Sequence, residues 1–309
     1  MKAIVTGGAG FIGSHLVEEL ISNGAKVHVL DSMVSGQRDY VHPHAFIHTE
    51  DICSTEAKKI IVREKPDVVF HLAAQADVGR SIHDPQYDAN VNINGTVNIL
   101  EACHEASVRK VIFSSTSGVY GNLQKAFISE EDLTCPISYY GLSKLTAESY
   151  IRLFHQLYGL PYTILRYGNV YGPRQTAKGE GGVVAVFLDR IKKGMPLSIH
   201  GDGEQTRDFI YVKDIVNANI AAVNQGHQET IQVSTAQKTS VNHLLKMLTQ
   251  IHGSKVNTVH TSGRTGDIKH SCLDNKKARQ ILKWHPKIDI FHGLSETYSL
   301  HLINSSIKD

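Results

Sequence analysis

The fold is decided by the stretch Ala3-Ile4-Val5-Thr6-Gly7-Gly8-Ala9-Gly10-Phe11-Ile12-Gly13. Its first residues are apolar and predict a short buried strand, and the apolar residues after Gly10 recur at helical spacing. Gly7, Gly10 and Gly13 let the backbone approach a pyrophosphate, which the first amides of the helix can bind. The stretch therefore predicts a strand, a glycine turn and a helix that together bind a dinucleotide.

Further strands are predicted over residues 26–30, 67–72 and 110–113, with helix-length segments between them. This alternation predicts an α/β protein with a doubly wound parallel sheet, the Rossmann fold, over residues 1–167. After Gly168 the pattern changes to turns rich in glycine and proline, which predicts a smaller C-terminal α/β substrate lobe over residues 168–309. A segment near residues 210–235 is expected to return to the first domain.

Composition excludes several classes of protein. The 309 residues carry a formal net charge of +2, and 41% are hydrophobic, so neither a disordered chain nor a polybasic nucleic-acid-binding protein is indicated. The four cysteines form no Cys-x-x-Cys pair, which predicts no zinc site, no disulfide framework and a reducing cytoplasmic location. No run of 18 apolar residues predicts a membrane span, and the 18 scattered histidines predict no metal site.

An acidic residue strengthens the prediction of a dinucleotide site. Asp31 ends the second predicted strand, 18 residues after Gly13, where a carboxylate accepts a hydrogen bond from a ribose 2′-hydroxyl and repels a 2′-phosphate. This position favours NAD over NADP, and Asp51-Ile52 is placed to meet the adenine. A tight turn without a ligand is the alternative interpretation of the glycines. A phosphate-binding loop of the ATPase kind is excluded because no Gly-Lys-Ser/Thr follows.

Three residues suggest a catalytic group. Tyr140 and Lys144 lie four residues apart, on one face of a predicted helix, and Thr116 follows the strand before that helix. A phenol with a pKa of about 10 is a poor base at neutral pH, and lowering this pKa to about 7 needs about 4 kcal/mol of preferential stabilisation of the phenolate. A lysine ammonium can contribute that stabilisation, so Tyr140 could accept a proton from an alcohol. A surface tyrosine packed on the stem of a lysine is the alternative.

The sequence resembles the extended short-chain dehydrogenase/reductases, and within them the nucleotide-sugar 4-epimerases of the UDP-glucose 4-epimerase type. The resemblance runs nearly end to end. It rests on ordered blocks, which are Thr6 to His15, His71-Leu72-Ala73-Ala74-Gln75, Ser114-Ser115-Thr116, Tyr140 with Lys144, Arg166 to Pro173, Arg207 to Val212 and Arg264-Thr265-Gly266-Asp267.

The resemblance implies an NAD that is held throughout the cycle, oxidation of the sugar at C4, rotation of the ketosugar and its reduction on the opposite face. Tyr140 would be the acid/base, Lys144 would lower its pKa, and Thr116 would bind the C4 oxygen. The implied cofactor-binding residues are Gly7, Gly10, Phe11, Ile12, Gly13, Asp31, Asp51, Ile52, Leu72, Ala73, Ala74, Gln75, Asn90, Ser114, Tyr140, Lys144, Tyr167 and Val170.

The resemblance also implies a set of substrate contacts. Arg207 and Arg264 would clamp the diphosphate, a task suited to a planar bidentate guanidinium. Asn169 would hold the sugar end of the diphosphate. The alternative for Arg207 is a surface ion pair with Asp208. The implied substrate-binding residues are Thr116, Tyr140, Asn169, Val183, Arg207, Arg264, Asp267 (toward the uridine ribose) and Ser271.

Departures from the pattern of related enzymes refine the expected reaction. Related 4,6-dehydratases carry an Asp-Glu pair after the threonine, whereas this chain has Ser117 and Gly118, so epimerisation is favoured over dehydration. Ser271 stands where enzymes confined to UDP-glucose have a bulky tyrosine, which leaves room for an N-acetyl group and predicts activity on UDP-GlcNAc/UDP-GalNAc.

Three alternatives stay open beside this reading, namely a UDP-glucuronate epimerase, a reductase of another nucleotide sugar, and a non-catalytic NAD-binding sensor protein. The family also implies a homodimer formed by two long helices, near residues 91–106 and 140–158.

Overall fold

A computed structural model describes residues 1–177, 182–262 and 269–303. Within these ranges the chain forms thirteen strands. They are β1 Lys2–Thr6, β2 Lys26–Asp31, β3 Phe46–Thr49, β4 Val68–His71, β5 Lys110–Thr116, β6 Tyr162–Tyr167, β7 Asn169–Tyr171, β8 Leu197–His200, β9 Thr206–Arg207, β10 Phe209–Tyr211, β11 Glu229–Val233, β12 Thr239–Ser240 and β13 Thr258–Thr261.

The helices alternate with these strands. They are α1 Phe11–Ser22, α2 Thr55–Glu64, α3 Val78–His83, α4 Pro85–Ala89, α5 Gly95–Glu105, α6 Tyr139–Tyr158, α7 Val183–Lys192, α8 Val212–Ala222, α9 Val241–His252, α10 Lys276–Ile281 and α11 Ile290–Ile303. A π-helical segment, Asn90–Asn94, joins α4 to α5, and 3-10 turns form at Arg38–Tyr40 and Ser117–Tyr120. Among the described helices, none is both long enough and apolar enough to cross a lipid bilayer.

The central sheet has the strand order β11-β6-β5-β4-β1-β2-β3, and every pairing in it is parallel. Chain order reverses between β1 and β4, so the carboxyl ends of these strands open a crevice for a ligand. The predicted doubly wound sheet is confirmed. Strand β3 was not predicted, because its four residues lie at the sheet edge and are only partly buried, so they carry no continuous apolar run.

Two apolar layers cover the two faces of the sheet. On one face α1 and α8 pack through residues such as Leu16 and Ile215 against Phe70 and Leu165. On the other face α2, α5 and α6 pack against a second set of strand residues. A strand that is buried on both faces has an uninterrupted run of apolar residues in the sequence. Most strands of the central sheet could be recognised in the sequence for this reason. Each fully buried Leu, Ile or Phe contributes roughly 1.5–3 kcal/mol to folding.

We call the region around α7, α9 and α11 the smaller lobe; it has its own apolar core and little extended sheet. Its core joins α7, α9 and α11 to the two-stranded pairs β7–β10 and β8–β13. The antiparallel pair β9–β12 adds only two residues from each strand. Val170 and Ile12 pack against both this core and the α1 layer of the main sheet, so they link the lobe to the sheet.

Candidate active site

The glycine turn after β1 is shaped by close backbone contacts. Gly7 has φ +69°, and a Cβ built on it would lie 2.7 Å from the backbone nitrogen of Ala73, which follows β4. A Cβ on Gly13 would lie 2.1 Å from the carbonyl oxygen of Gly7. Gly10 caps α1 without a side-chain hydrogen bond, so no side chain competes with an anion for the first amides of the helix. The turn is therefore a cradle that only glycine can form.

A cavity of about 280 Å³ opens from this turn along the carboxyl ends of β1, β2 and β4. The predicted cofactor residues up to Gln75 line it, namely Gly7, Gly10, Phe11, Ile12, Gly13, Asp31, Asp51, Ile52, Leu72, Ala73, Ala74 and Gln75. Lining residues that the sequence analysis did not identify include Tyr40, Arg80, Tyr87, Arg174 and Thr176. Arg80 lies on α3, Tyr87 lies on α4, and the other three come from a 3-10 turn and a loop, so no single local pattern marks them.

Asp31 is held in place at the wall of this cavity. Its side chain is buried, and its two carboxylate oxygens accept bonds of 2.9 Å from the backbone N–H groups of Ala9 and Met33. A carboxylate offers about four acceptor positions, so these two bonds leave capacity for a ribose hydroxyl. The glycine cradle and the fixed carboxylate together fit a dinucleotide with a free 2′-hydroxyl.

The remaining predicted cofactor residues lie outside the wall of the cavity. Ser114 is on β5, and Tyr167 ends β6, where its buried hydroxyl is paired with the amide of Asn219 at 2.8–3.1 Å. Burial raises the pKa of Tyr167, and the Asn219 hydrogen bond opposes this only in part. Val170 lies on β7, and Asn90 is exposed in the π-helical segment.

Asn92, two residues after Asn90, is the buried polar residue of the π-helical segment. Its side-chain amide pairs with the backbone of Gln75, accepting from the N–H at 2.8 Å and donating to the carbonyl at 2.9 Å. It also donates to the hydroxyl of Ser143 on α6 at 3.0 Å. The sequence analysis missed Asn92, because the π-helical turn that directs it inward has no distinct sequence signature.

Thr116, Tyr140 and Lys144 are brought to the same end of the sheet. Thr116 ends β5, and α6 starts at the N-cap Ser138, which accepts from the backbone of Gly141 at 3.1 Å. A Cβ on Gly141 would lie only 2.7 Å from the carbonyl oxygen of Gly118. Because these glycines neighbour Tyr140 and Thr116 along the chain, the start of α6 lies directly against the end of β5.

The side chains of this group have distinct environments. The Thr116 hydroxyl oxygen accepts a 3.0 Å bond from the backbone of Gly118, which leaves the hydroxyl hydrogen out of that bond. Lys144 is buried, and its Nζ lies 4.5 Å from the ring centroid of Phe113, a favourable cation–π distance. Burial, aided by the nearby charge of Lys144, lowers the pKa of His71 to about 3. Lys144 thus gives this end of the sheet a positive charge.

Three of the predicted substrate residues converge beside Asp208. The backbone N–H of Asn169 donates to the carbonyl of Asp208 at 2.7 Å, and Arg207 ends β9 immediately before Asp208. The backbone N–H of Ser271 donates to the carbonyl of Thr206 at 3.2 Å, which places Ser271 beside that strand. Val183 starts α7 and packs against the core of the lobe. The predicted residues Arg264 and Asp267 lie outside the described residues.

Asp208 holds this region together. Its buried carboxylate accepts from the backbone and hydroxyl of Thr235 at 2.8 and 2.6 Å, from Ala236 at 3.0 Å and from Leu273 at 3.3 Å. Burial raises the pKa of Asp208, and the Thr235 hydrogen bonds act against that rise. Asp208 is only 1% exposed, so its carboxylate does not lie at the surface. The sequence signal that could have identified Asp208 as a structural residue is its position immediately before the apolar strand β10.

Comparison with known proteins identifies the family. The family model described as "NAD dependent epimerase/dehydratase family" matches residues 3–234, which is more than half of the chain. The chain belongs to this family. The family uses NAD, and the glycine cradle with Asp31 fits that cofactor.

Solved structures with the same fold extend the comparison. A UDP-glucose 4-epimerase from Thermotoga maritima, solved with UDP-glucose, is 42% identical with a TM-score of 0.94, covering 99% of this chain and 100% of that one. A UDP-glucose 4-epimerase from Thermus thermophilus in complex with NAD is 36% identical with a TM-score of 0.93, covering 98% and 99%. A UDP-N-acetylglucosamine 4-epimerase from Methanobrevibacter ruminantium, in complex with UDP-N-acetylmuramic acid, is also 36% identical with a TM-score of 0.93, covering 98% of each chain.

Proposed function

We propose that this protein is an NAD-dependent 4-epimerase of UDP-sugars that interconverts UDP-glucose and UDP-galactose through a transient 4-keto sugar. The observation that carries the proposal is the contact between the start of α6 and the turn after Thr116, where a Cβ on Gly141 would lie 2.7 Å from the carbonyl oxygen of Gly118. This contact lies at the same edge of the parallel sheet as the cofactor cavity. The two positions after Thr116 are Ser117 and Gly118, so neither supplies the carboxylate that a dehydratase needs.

Each residue of the group has a defined task in this reaction. Tyr140 accepts the proton of the sugar 4-hydroxyl and returns it after the ketosugar has rotated to present its opposite face. Thr116 donates a hydrogen bond to the same oxygen. Lys144 favours the ionised phenol through its positive charge. Bound NAD supplies the acceptor and donor of the hydride. The cavity residues from Gly7 to Gln75 hold NAD, with Asp31 on the ribose; Ser114, Tyr167, Val170 and Asn90 complete this proposed set.

The sugar nucleotide is proposed to bind in the smaller lobe, over residues 168–309, while residues 1–167 hold NAD. Arg207 and Arg264 clamp the diphosphate, Asn169 holds its sugar end, and Asp267 reaches the uridine ribose. The fixed strand around Asp208 supports this assignment, because it keeps Arg207 beside Asn169 and Ser271. Ser271 and Val183 border the sugar pocket. The small side chain of Ser271 supports turnover of UDP-GlcNAc, in line with the relative named as a UDP-N-acetylglucosamine 4-epimerase.

A proton NMR time course tests this function. Purified protein is incubated in parallel with UDP-glucose and with UDP-GlcNAc, and no NAD is added. Appearance of the galacto sugar demonstrates 4-epimerisation with a cofactor that was retained during purification. If no product forms in either sample after NAD is supplied, the proposal fails; the same assay with UDP-glucuronate then separates a different substrate from a non-catalytic NAD-binding protein.

The exposed side of α6 supports a homodimer. This side carries four apolar residues at helical spacing that are 39–63% exposed, namely Leu142, Tyr150, Leu153 and Leu157. An apolar stripe of this kind on a protein surface is usually covered by a partner, which supports a dimer. We expect Leu153→Glu with Leu157→Glu to convert a dimer into a monomer in light scattering. Met195→Glu is the control, because Met195 is equally exposed at 47% but lies on the smaller lobe. A monomeric wild-type protein would contradict the dimer.

A cytoplasmic location is part of the same proposal. The absence of a Cys-x-x-Cys pair among the four cysteines of the sequence supports it.

A further inference from the structure

A buried carboxylate lies in the middle of α6, one helical turn after Lys144. Glu148 is completely buried and accepts hydrogen bonds from three elements. The donors are the hydroxyl of Ser115 on β5 at 2.6 Å, two guanidinium nitrogens of Arg166 on β6 at 2.9 and 2.6 Å, and Arg152 on α6 at 2.7 Å. This carboxylate therefore fastens α6 to the two strands beneath it.

The partners of Glu148 are the chain neighbours of proposed site residues. Ser115 immediately precedes Thr116, and Arg166 immediately precedes Tyr167. In the sheet, Ser115 is in register with Arg166, as Thr116 is with Tyr167. A single carboxylate thus fixes the height and rotation of the helix carrying Tyr140 and Lys144 relative to both strand ends.

The network continues beyond the helix to the 3-10 turn after β5 and to β11. Arg166 donates its remaining nitrogen to the hydroxyl of Tyr120 at 2.8 Å, and Gln232 of β11 donates to the same hydroxyl at 2.5 Å. Arg152 donates to the hydroxyl of Thr230, also on β11, at 3.1 Å. Hydrogen bonds in a low-dielectric interior are strengthened and hold the groups that they join, although the side-chain oxygen of Gln232 has no partner among the described residues.

Stability alone does not explain this ion pair. Burial by itself would raise the pKa of Glu148, but the hydrogen bonds and charge of Arg166 outweigh burial and keep the carboxyl ionised with a lowered pKa. Removing two charges from water is costly, and apolar residues of similar volume often stabilise a protein as well or better. The Glu148–Arg166 pair is better explained by the position of α6 on β5 and β6 that it fixes.

We propose that Glu148 is a positioning residue for the epimerisation, acting through Ser115 and Arg166 to hold Tyr140 and Lys144 of α6 against Thr116. The inference rests on the proposed function. It predicts that weakening the tether slows the chemical step while leaving cofactor retention and substrate affinity in place.

Ser115→Ala is the sharpest test, because it removes one hydrogen bond and leaves the Glu148–Arg166 pair intact. We expect kcat to fall about tenfold, with KM for UDP-glucose and NAD retained per chain unchanged, since a hydrogen bond to a charged group is worth this much. Ser115→Thr should keep the kcat of the wild type, because threonine retains the hydroxyl that alanine lacks. Ser149→Ala is the matched control: Ser149 lies on the exposed side of α6 and its hydroxyl bonds only within the helix, to Leu145.

A second measurement is independent of turnover. The ionisation of Tyr140 is followed by tyrosinate absorbance in the NAD-bound protein, as the difference between each protein and the same protein carrying Tyr140→Phe. We expect the midpoint to rise in Ser115→Ala and in Glu148→Gln, because Lys144 is no longer held in place. A role in stability alone would lower the thermal midpoint without moving this titration, and that result, or an unchanged kcat in Ser115→Ala, would overturn the inference. If the titration midpoint rises in the variants but the wild-type protein does not epimerise UDP-glucose, only the proposed function is overturned.

Discussion

Two regions are named for the ligands that we propose for them: the cofactor half, around the glycine turn, and the sugar half, around Asp208. They are built in different ways. Around the glycine turn, neighbouring backbone segments lie so close that a single Cβ on Gly7 or Gly13 would overlap another strand or turn. Around Asp208, the chain is held by strands of two or three residues and by one carboxylate that accepts hydrogen bonds from four residues. The first region is fixed by close backbone packing and the second by a few side-chain hydrogen bonds.

This difference has a functional consequence. A retained cofactor needs a rigid cradle that changes little during the cycle, and close-packed parallel strands provide it. A ketosugar that presents both faces to the same residues needs a pocket whose walls can be altered without disturbing the sheet. We therefore expect substitutions in the sheet and at its ends to affect chemistry and cofactor retention most, and substitutions near Ser271 to affect substrate choice.

The largest effect is expected at the point where the two halves meet. Tyr140→Phe removes the proton acceptor but keeps the ring, so kcat should fall at least about a hundredfold while NAD is retained. Turnover is measured by NMR, and NAD content by absorbance after denaturation. If kcat is unchanged, Tyr140 has no part in proton transfer, and the meeting of α6 with β5 loses its proposed meaning.

A smaller effect is expected in the cradle itself. Gly13→Ala places a Cβ 2.1 Å from the carbonyl oxygen of Gly7, which cannot move without shifting the turn. Overpacking of this kind costs about 1–3 kcal/mol, so the affinity for NAD should fall about thirtyfold. The control is Gly79→Ala, whose Cβ would meet only a side-chain oxygen of Asp77 at 3.2 Å. Equal NAD affinities in the two variants would show that the cradle tolerates more than its contacts indicate.

The same difference explains what the sequence could reveal. The strand, turn and helix from β1 to α1 were predictable because their signals, apolar runs and spaced glycines, are local. Tyr140, Lys144 and Thr116 could be placed at one end of the sheet because parallel strands all end there. By contrast, Tyr40 and Arg174 join the cofactor cavity from loops far apart in sequence, and no pattern within either loop records that meeting.

Other features escaped prediction for equally physical reasons. The edge strand β3 is half-exposed, and the two-residue strands β9 and β12 are too short to show any periodicity. The inward turn of Asn92 depends on a π-helical segment that follows from tertiary packing. Glu148 looks like a solvent-exposed residue of an ordinary helix until its partners on β5 and β6 are known.

A pH experiment tests how the stability of the fold depends on a buried histidine of the cofactor half. His71, at the end of β4, is buried between the hydroxyls of Thr6 and Thr96, and its lowered pKa of about 3 keeps it neutral in the fold. The unfolded chain binds a proton near pH 6.5, so between these values it holds more protons than the native state, and stability falls as the pH falls. His71 should therefore cost about 2 kcal/mol of unfolding free energy between pH 7 and pH 5.

Denaturant unfolding at the two pH values measures this loss. His71→Gln should show a loss smaller by that amount, although His28, whose pKa is lowered by burial to about 4, keeps part of the slope. His83→Gln, on the exposed surface of α3, should behave as the wild type. Identical slopes in the wild type and His71→Gln would mean that His71 does not stay neutral in the native state.

The smallest effect, and the most selective, is expected in the sugar half. Ser271→Tyr adds a ring beside the strand that carries Arg207, so it should lower kcat/KM for UDP-GlcNAc about tenfold or more and spare UDP-glucose, as steric exclusion in a pocket is worth about 1–3 kcal/mol. Ser271→Ala leaves the same space open and should keep both activities. Parallel NMR assays of the two sugars measure the ratio. Equal losses on both sugars in Ser271→Tyr would mean that the ring disturbs the phosphate clamp instead of the sugar pocket, and that the sugar half is as tightly built as the cofactor half.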